Sequence, residues 1–144
     1  MTADVDPATR QQLFDLVVRY ATGIDQRDWK CFRTCWTDDA VTDYGAVGKW
    51  DSGDAVTDFM AKIHEPCGHT AHRVGNYVVR PNGDGYSART YVDAIVMRGD
   101  NRNGLQMLGY YDDEYRLTDD GWRISRRDFT PTVTARIASS LPED

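Results

Sequence analysis

His69 and His72 are two of the three histidines in the chain, and they open the first long stretch of strand character, residues 69–79. On a strand, side chains alternate between faces, so His72 shares one face with Thr70, Val74 and Asn76, while His69 shares the other with Ala71, Arg73 and Tyr77. The two imidazoles therefore cannot share a task. A neutral imidazole accepts a proton well near neutral pH when a carboxylate holds its tautomer and steadies the cation that forms. Asp25 is the expected partner of His72 in such a pair, with His72 as general base. A zinc site built from His64, Cys67, His69 and His72 is not expected, because Pro66 and Gly68 break the helix and strand alternation separates His69 from His72. His64 and His69 read as surface or interface residues.

Two kinds of element must position this pair. Asp6-Pro7 reads as an N-cap followed by proline at the first helical position, and Leu13, Leu16, Val17, Tyr20, Ala21 and Ile24 recur behind it at helical spacing. The helix is expected to fray near Gly23, with Asp25 just beyond it and beside the apolar stripe, where a carboxylate can turn inward. Asp28 caps a shorter helix with Trp29, Phe32, Cys35 and Trp36 on one side; Thr37-Asp38-Asp39 reads as a turn, and residues 40–44 as a short strand in which Tyr44 shares a face with Thr42. Ser52-Gly53-Asp54 starts a third helix that buries Val56, Phe59, Met60 and Ile63 and stops at Pro66-Cys67-Gly68.

From residue 69 to about 131 the pattern changes to four strands, divided by the turn-rich stretches 81–85, 99–104 and 118–121. Unbroken alternation in the last strand places Arg127 with Phe129 and Arg126 with Ile124. Helices first and a meander of strands afterwards predict an α+β fold. Its expected form is a cone-shaped α+β barrel, the N-terminal helices packed into a strongly curved antiparallel sheet around an interior pocket.

A chain of 144 residues suits one domain, here 1–144 with tails at 1–9 and 132–144. The net charge is −6 and the 17 Lys and Arg are scattered, so no basic stripe is available for phosphates and nucleic acid is not an expected partner. The first residues carry neither a basic nor an apolar leader pattern, and no apolar run is long enough to cross a bilayer; a soluble, cytoplasmic protein without a membrane partner is expected. The odd count of 3 cysteines, at unpatterned spacings, predicts reduced thiols. Gly83-Asp84-Gly85 sits in a hairpin and does not open a helix, so no nucleotide cofactor is expected, and no Gly-x-Ser-x-Gly elbow is present.

The run Gly23-Ile24-Asp25-Gln26-Arg27-Asp28-Trp29, then Thr70-Ala71-His72 opening a strand, then Asp113-Glu114-Tyr115 leading to Asp120-Gly121-Trp122-Arg123-Ile124, resembles the SnoaL-like proteins of the nuclear-transport-factor-2-like superfamily. The likeness covers about residues 10 to 131, and is greatest to the branch holding scytalone dehydratase, bile-acid 7α-dehydratase and hexachlorocyclohexane dehydrochlorinase. It implies an Asp–His pair at Asp25 and His72. It also matches Tyr20 to a tyrosine of the bile-acid dehydratases and Arg127 to an arginine on the last strand of the dehydrochlorinases. The dehydrochlorinases carry Lys where this chain has Tyr20, and the second His and the Asn of scytalone dehydratase fall at Val96 and Tyr111, so this chain departs from both.

The expected function is a cofactor-independent lyase carrying out a dehydratase-type β-elimination on a small hydrophobic or polycyclic substrate. His72 abstracts the proton, Asp25 orients it, Tyr20 protonates or hydrogen-bonds a departing hydroxyl, and Arg127 receives a leaving anion or polarises a carbonyl. Thr42, Tyr44, Tyr111 and Phe129 are expected pocket walls. The alternatives are an isomerase or polyketide-type cyclase using the same base, or a non-catalytic module that binds a small ligand. The resemblance further implies a homo-oligomer, dimer or trimer, assembled through the outer sheet face.

Overall fold

The computed structural model describes residues 4–140. The Asp6 side chain accepts a hydrogen bond from the Thr9 N–H at 3.0 Å and caps α1 (Pro7–Asp25), which buries Leu13, Leu16, Val17, Tyr20, Ala21 and Ile24 as its periodicity requires. The helix does not fray at Gly23. It runs on through Asp25, and Gly23 serves close packing: a Cβ there would sit 3.2 Å from the Phe32 backbone of α2 (Trp29–Arg33).

Trp36 does not extend α2 but starts β1 (Trp36–Asp43), so the expected turn at Thr37-Asp38-Asp39 is strand. Backbone pairing overrides the turn residues there, since β1 lies parallel to the last strand and the Ile124 N–H donates to the Cys35 carbonyl at 2.8 Å. After a single 3₁₀ turn, β2 (Lys49–Trp50) pairs back on β1. Ser52 caps α3 (Gly53–His64), whose buried stripe is Val56, Thr57, Met60 and His64; Ile63, expected inside, is 37% exposed because it lies off that stripe.

The predicted meander forms β3 (Cys67–Asn82), β4 (Gly85–Arg98), β5 (Asn103–Thr118) and β6 (Gly121–Ala138). All six strands make one sheet in the order β2-β1-β6-β5-β4-β3. It is antiparallel except where β1 meets β6, and its two edges, β2 and β3, do not pair. The fold is the expected cone of curved sheet and N-terminal helices, left open and not closed into a barrel. Helix α1 lies against β3 and β6, and α3 against β1 and β2.

Three bulges change which side chains face inward. In β3 the register shifts between Gly75 and Val78, and Asn76 takes a left-handed conformation (φ 49°), so Asn76 turns out of the His72 face and Tyr77 turns in. In β6, Ile124 pairs with Tyr115 and Arg126 with Glu114; the extra residue, Ser125, puts Ile124 and Arg127 both inside and Arg126 outside. The third bulge lies where β5 meets β6 at Gly109 and Pro131. There proline is accommodated without ending the strand, and residues 132–138, read as tail, pair with β5 instead.

Candidate functional site

Asp25 is the last residue of α1, and its carboxylate faces the inner side of β3. Oδ1 lies 2.8 Å from His72 Nδ1 and accepts from the Thr70 hydroxyl at 2.9 Å, while Oδ2 accepts from the His72 backbone N–H at 2.8 Å. The side chains of His72 and Asp25 are 8% and 24% exposed, so the pair is sheltered yet reachable. Burial by itself would push the Asp25 carboxyl up, but the hydrogen bonds from the His72 ring and backbone and from Thr70 outweigh it and hold the group below its ordinary value. An ionised carboxylate only accepts hydrogen bonds, so Nδ1 of His72 is the donor in this contact. Across the sheet, the inner row through His72 continues as Ala94, Met107 and Thr134.

Tyr20 and Arg127 lie in a second cluster, about 7.5 Å from Asp25 along the α1 axis. Arg127 has no exposed surface and makes a bidentate ion pair with Asp113, both bonds at 2.7 Å. Its guanidinium carbon lies 3.8 Å from the ring centroid of Tyr111 and 4.1 Å from that of Tyr20, two rings set edge-on to each other. Asp113 already neutralises the charge expected to receive an anion, and Nη1, buried and without a hydrogen-bond partner, is the guanidinium nitrogen left over. The Tyr20 and Tyr44 hydroxyls meet at 2.9 Å, and burial pushes both phenols well above their ordinary range, so they stay neutral.

The expected pocket walls divide. Thr42, Tyr44 and Tyr111 are buried in the packed core, and Phe129 keeps accessible surface beside Tyr44 and Tyr111. A recess of about 580 Å³ lies elsewhere, on the outer sheet face around Arg80, Arg89, Tyr91 and Arg126. Among the described residues no group of three or more His, Cys, Asp or Glu is arranged to hold a metal.

His64 departs from its expected surface position. It lies four residues after Met60 on the buried stripe of α3, is 7% exposed, bonds the Met60 carbonyl through Nδ1 at 2.7 Å and packs on Trp29. Burial, with the Arg27 cation adding positive potential, outweighs the hydrogen bond to the Met60 carbonyl and pushes its pKa below the ordinary value of 6.5. Below that value the unfolded chain takes up a proton that the folded chain refuses, so folding is weakened as pH falls; Asp25, held low, adds its own loss only below its ordinary 3.8. Urea midpoints measured against pH are therefore expected to drop from about pH 6.5 downward, and His64→Asn is expected to flatten that upper limb. An unchanged limb in the variant would rule out His64 as its source.

Periodicity could have placed His64 inside, since it continues the Val56–Met60 spacing. No sequence signal pointed to the contacts that Thr70 and Arg27 make around Asp25.

A curved sheet wrapped on a long helix, with a carboxylate at the helix end bonded to an imidazole on the first long strand, defines a cone-shaped α+β domain with an interior polar pair. Residues 7–128 match the SnoaL-like domain, and the chain belongs to that family. An uncharacterized protein of Mycobacterium tuberculosis is 33% identical over 129 residues, 88% of each chain. Among solved structures, a provisionally assigned aromatic ring hydroxylase of Novosphingobium aromaticivorans aligns at 25% identity and TM-score 0.85 over 93% of this chain and 96% of its own. A provisionally assigned scytalone dehydratase of the same organism aligns at 19% and 0.82 over 89% and 87%. Hexachlorocyclohexane dehydrochlorinase LinA-type3 of Novosphingobium barchaimii aligns at 18% and 0.82 over 94% and 96%. The last two likenesses are of fold. No helix among the described residues is long and apolar enough to cross a membrane.

Proposed function

We propose that the protein is a cofactor-independent lyase of the dehydratase type, acting by β-elimination on a small hydrophobic or polycyclic substrate. The observation that carries this reading is the sheltered 2.8 Å contact between Asp25 Oδ1 and His72 Nδ1, which leaves Nε2 as a base inside the cone. Nε2 takes the proton from carbon, the C–H electrons form the double bond, and the hydroxyl leaves as water. The proton it needs comes from the His72 imidazolium, because Tyr20 and Tyr44 hold theirs too tightly to act as acids. Tyr20 is a hydrogen-bonding group in this reading, Nη1 of Arg127 offers one donor to a carbonyl, and Phe129 is the pocket wall that substrate reaches.

One group that both takes and returns the proton works from one face, so a syn elimination is expected. A stereospecifically deuterated substrate that loses its label with anti geometry would overturn the return of the proton by His72. Isomerisation or cyclisation through the same carbanion is the second reading, favoured by the Asp113–Arg127 pair, which leaves no unpaired guanidinium for a leaving group. Solvent deuterium incorporated into substrate or isomeric product, without release of water, would select it.

The same reading includes a homo-oligomer, dimer or trimer, joined through the outer sheet face, where Val78, Tyr91 and Val133 are each about half exposed. A monomer mass by light scattering would remove that part. Support for a cytoplasmic location comes from Cys31, Cys35 and Cys67, all free thiols.

A further inference from the structure

We propose that Arg27 and Thr70 form a positioning relay that fixes which nitrogen of His72 carries the hydrogen. The proposal rests on the Asp25–His72 reading above and gives that pair a cause.

Arg27 is one of three non-glycine residues with positive φ among the described residues, at 56°. Such a conformation is strained for a side chain with a Cβ, and it persists where surrounding contacts hold it. Here three hydrogen bonds do so. Nη1 donates to the Ile24 carbonyl at 2.9 Å and to Thr70 Oγ1 at 2.8 Å, and Nη2 donates to the Gly68 carbonyl at 2.7 Å. One side chain thus ties the end of α1 to the start of β3, the two segments that supply Asp25 and His72.

The direction of the bonds matters as much as their number. A guanidinium has only donors, so Thr70 Oγ1 must accept from Arg27. Its single hydrogen is then free to point to Asp25 Oδ1 at 2.9 Å. The carboxylate can only accept, so the ring nitrogen facing the same Oδ1 must be the donor, Nδ1–H. Polarity therefore runs one way, from the cation through a hydroxyl and a carboxylate to the imidazole, and Nε2 is left basic. Without Arg27 the Thr70 hydroxyl is free to turn to another acceptor, and Asp25 loses one of the bonds that keep it ionised. His64 also interacts with Arg27, His72 and Asp25, and burial lowers its pKa.

The test is the tautomer of His72, read by ¹⁵N NMR of histidine-labelled protein at a pH where the ring is neutral. The wild type is expected to show Nδ1–H. In Thr70→Val and Arg27→Ala the Nε2–H form is expected to gain about fivefold in population, the effect of losing one net hydrogen bond, with kcat falling and KM little changed. Thr70→Ser is expected to restore the wild-type spectrum. Arg27→Lys is expected to resemble Arg27→Ala, because an ammonium lacks the fork that spans Ile24, Gly68 and Thr70.

Should Arg27→Ala fail to fold, Thr70→Val decides alone, since it leaves the Arg27 bonds to Ile24 and Gly68 in place. A wild-type tautomer in Thr70→Val overturns the relay, whatever happens to stability. A shifted tautomer in a protein that eliminates nothing from any substrate would keep the relay and sink the lyase reading.

Discussion

His72→Ala is expected to lower turnover by about 10²–10⁴-fold, the usual worth of a positioned general base, while binding of substrate or product stays close to wild type. The reason is geometric. The ring is 8% exposed and held at Nδ1 by a carboxylate, so the nitrogen that reacts is Nε2, and alanine removes it without disturbing the backbone N–H that also bonds Asp25. Asp25→Asn is expected to fall in the same range. An amide placed at Oδ1 can donate as well as accept, so it no longer dictates the Nδ1–H tautomer, and it cannot steady an imidazolium. His69→Ala is the control: that side chain is exposed on the opposite face of β3, and turnover should not change. Full activity in both dyad variants would end the proposed mechanism. Lost activity with unchanged affinity would instead end the reading of this protein as a passive binding module.

Arg127→Met and Asp113→Leu are each expected to destabilise the fold by about 3–5 kcal/mol, because either one strands a charge that has no exposed surface. In thermal terms that is a loss of roughly 10–20 °C in Tm. The double variant is expected to recover most of the loss, since two apolar side chains of similar size need no partner, although the rings of Tyr20 and Tyr111 lose the cation beside them. A urea-denaturation cycle over the four proteins measures the coupling directly. Additive losses would show that the pair does not act as a unit. The same cycle separates two roles for Arg127: if the double variant folds well but turns over poorly with normal affinity, the unpartnered Nη1 serves the reaction as well as the core.

The contact between Asp25 and His72 was more legible in the sequence than were its surroundings. Asp25 and His72 lie 47 residues apart, yet each is marked locally, one by its place at the end of an apolar helical stripe and the other by strand alternation. Tyr20 and Arg127 also lie inside, but their partners were not readable. Nothing in a linear pattern says that Asp113 would meet Arg127 across a β5–β6 pair whose register is shifted by a bulge, or that the Tyr44 hydroxyl would meet that of Tyr20. Strand residues show a period, and a bulge resets it without leaving a composition signal. That is why Asn76, Tyr77 and Ile124 face away from where alternation alone had put them.

What residue order by itself determined was the set of elements: a capped amphipathic helix, two shorter helices and four long strands joined by tight turns, hence an α+β cone. Caps, apolar periods and turn residues act between near neighbours, so they can be read without knowing the fold. Tertiary structure alone decided the open edges of the sheet, the parallel seam between β1 and β6, the neutralised Arg127 and the chain of hydrogen bonds from Arg27 to His72. Each of these depends on groups distant in sequence meeting where water is excluded, and hydrogen-bond direction and charge pairing there are set by which neighbours the curved sheet brings together.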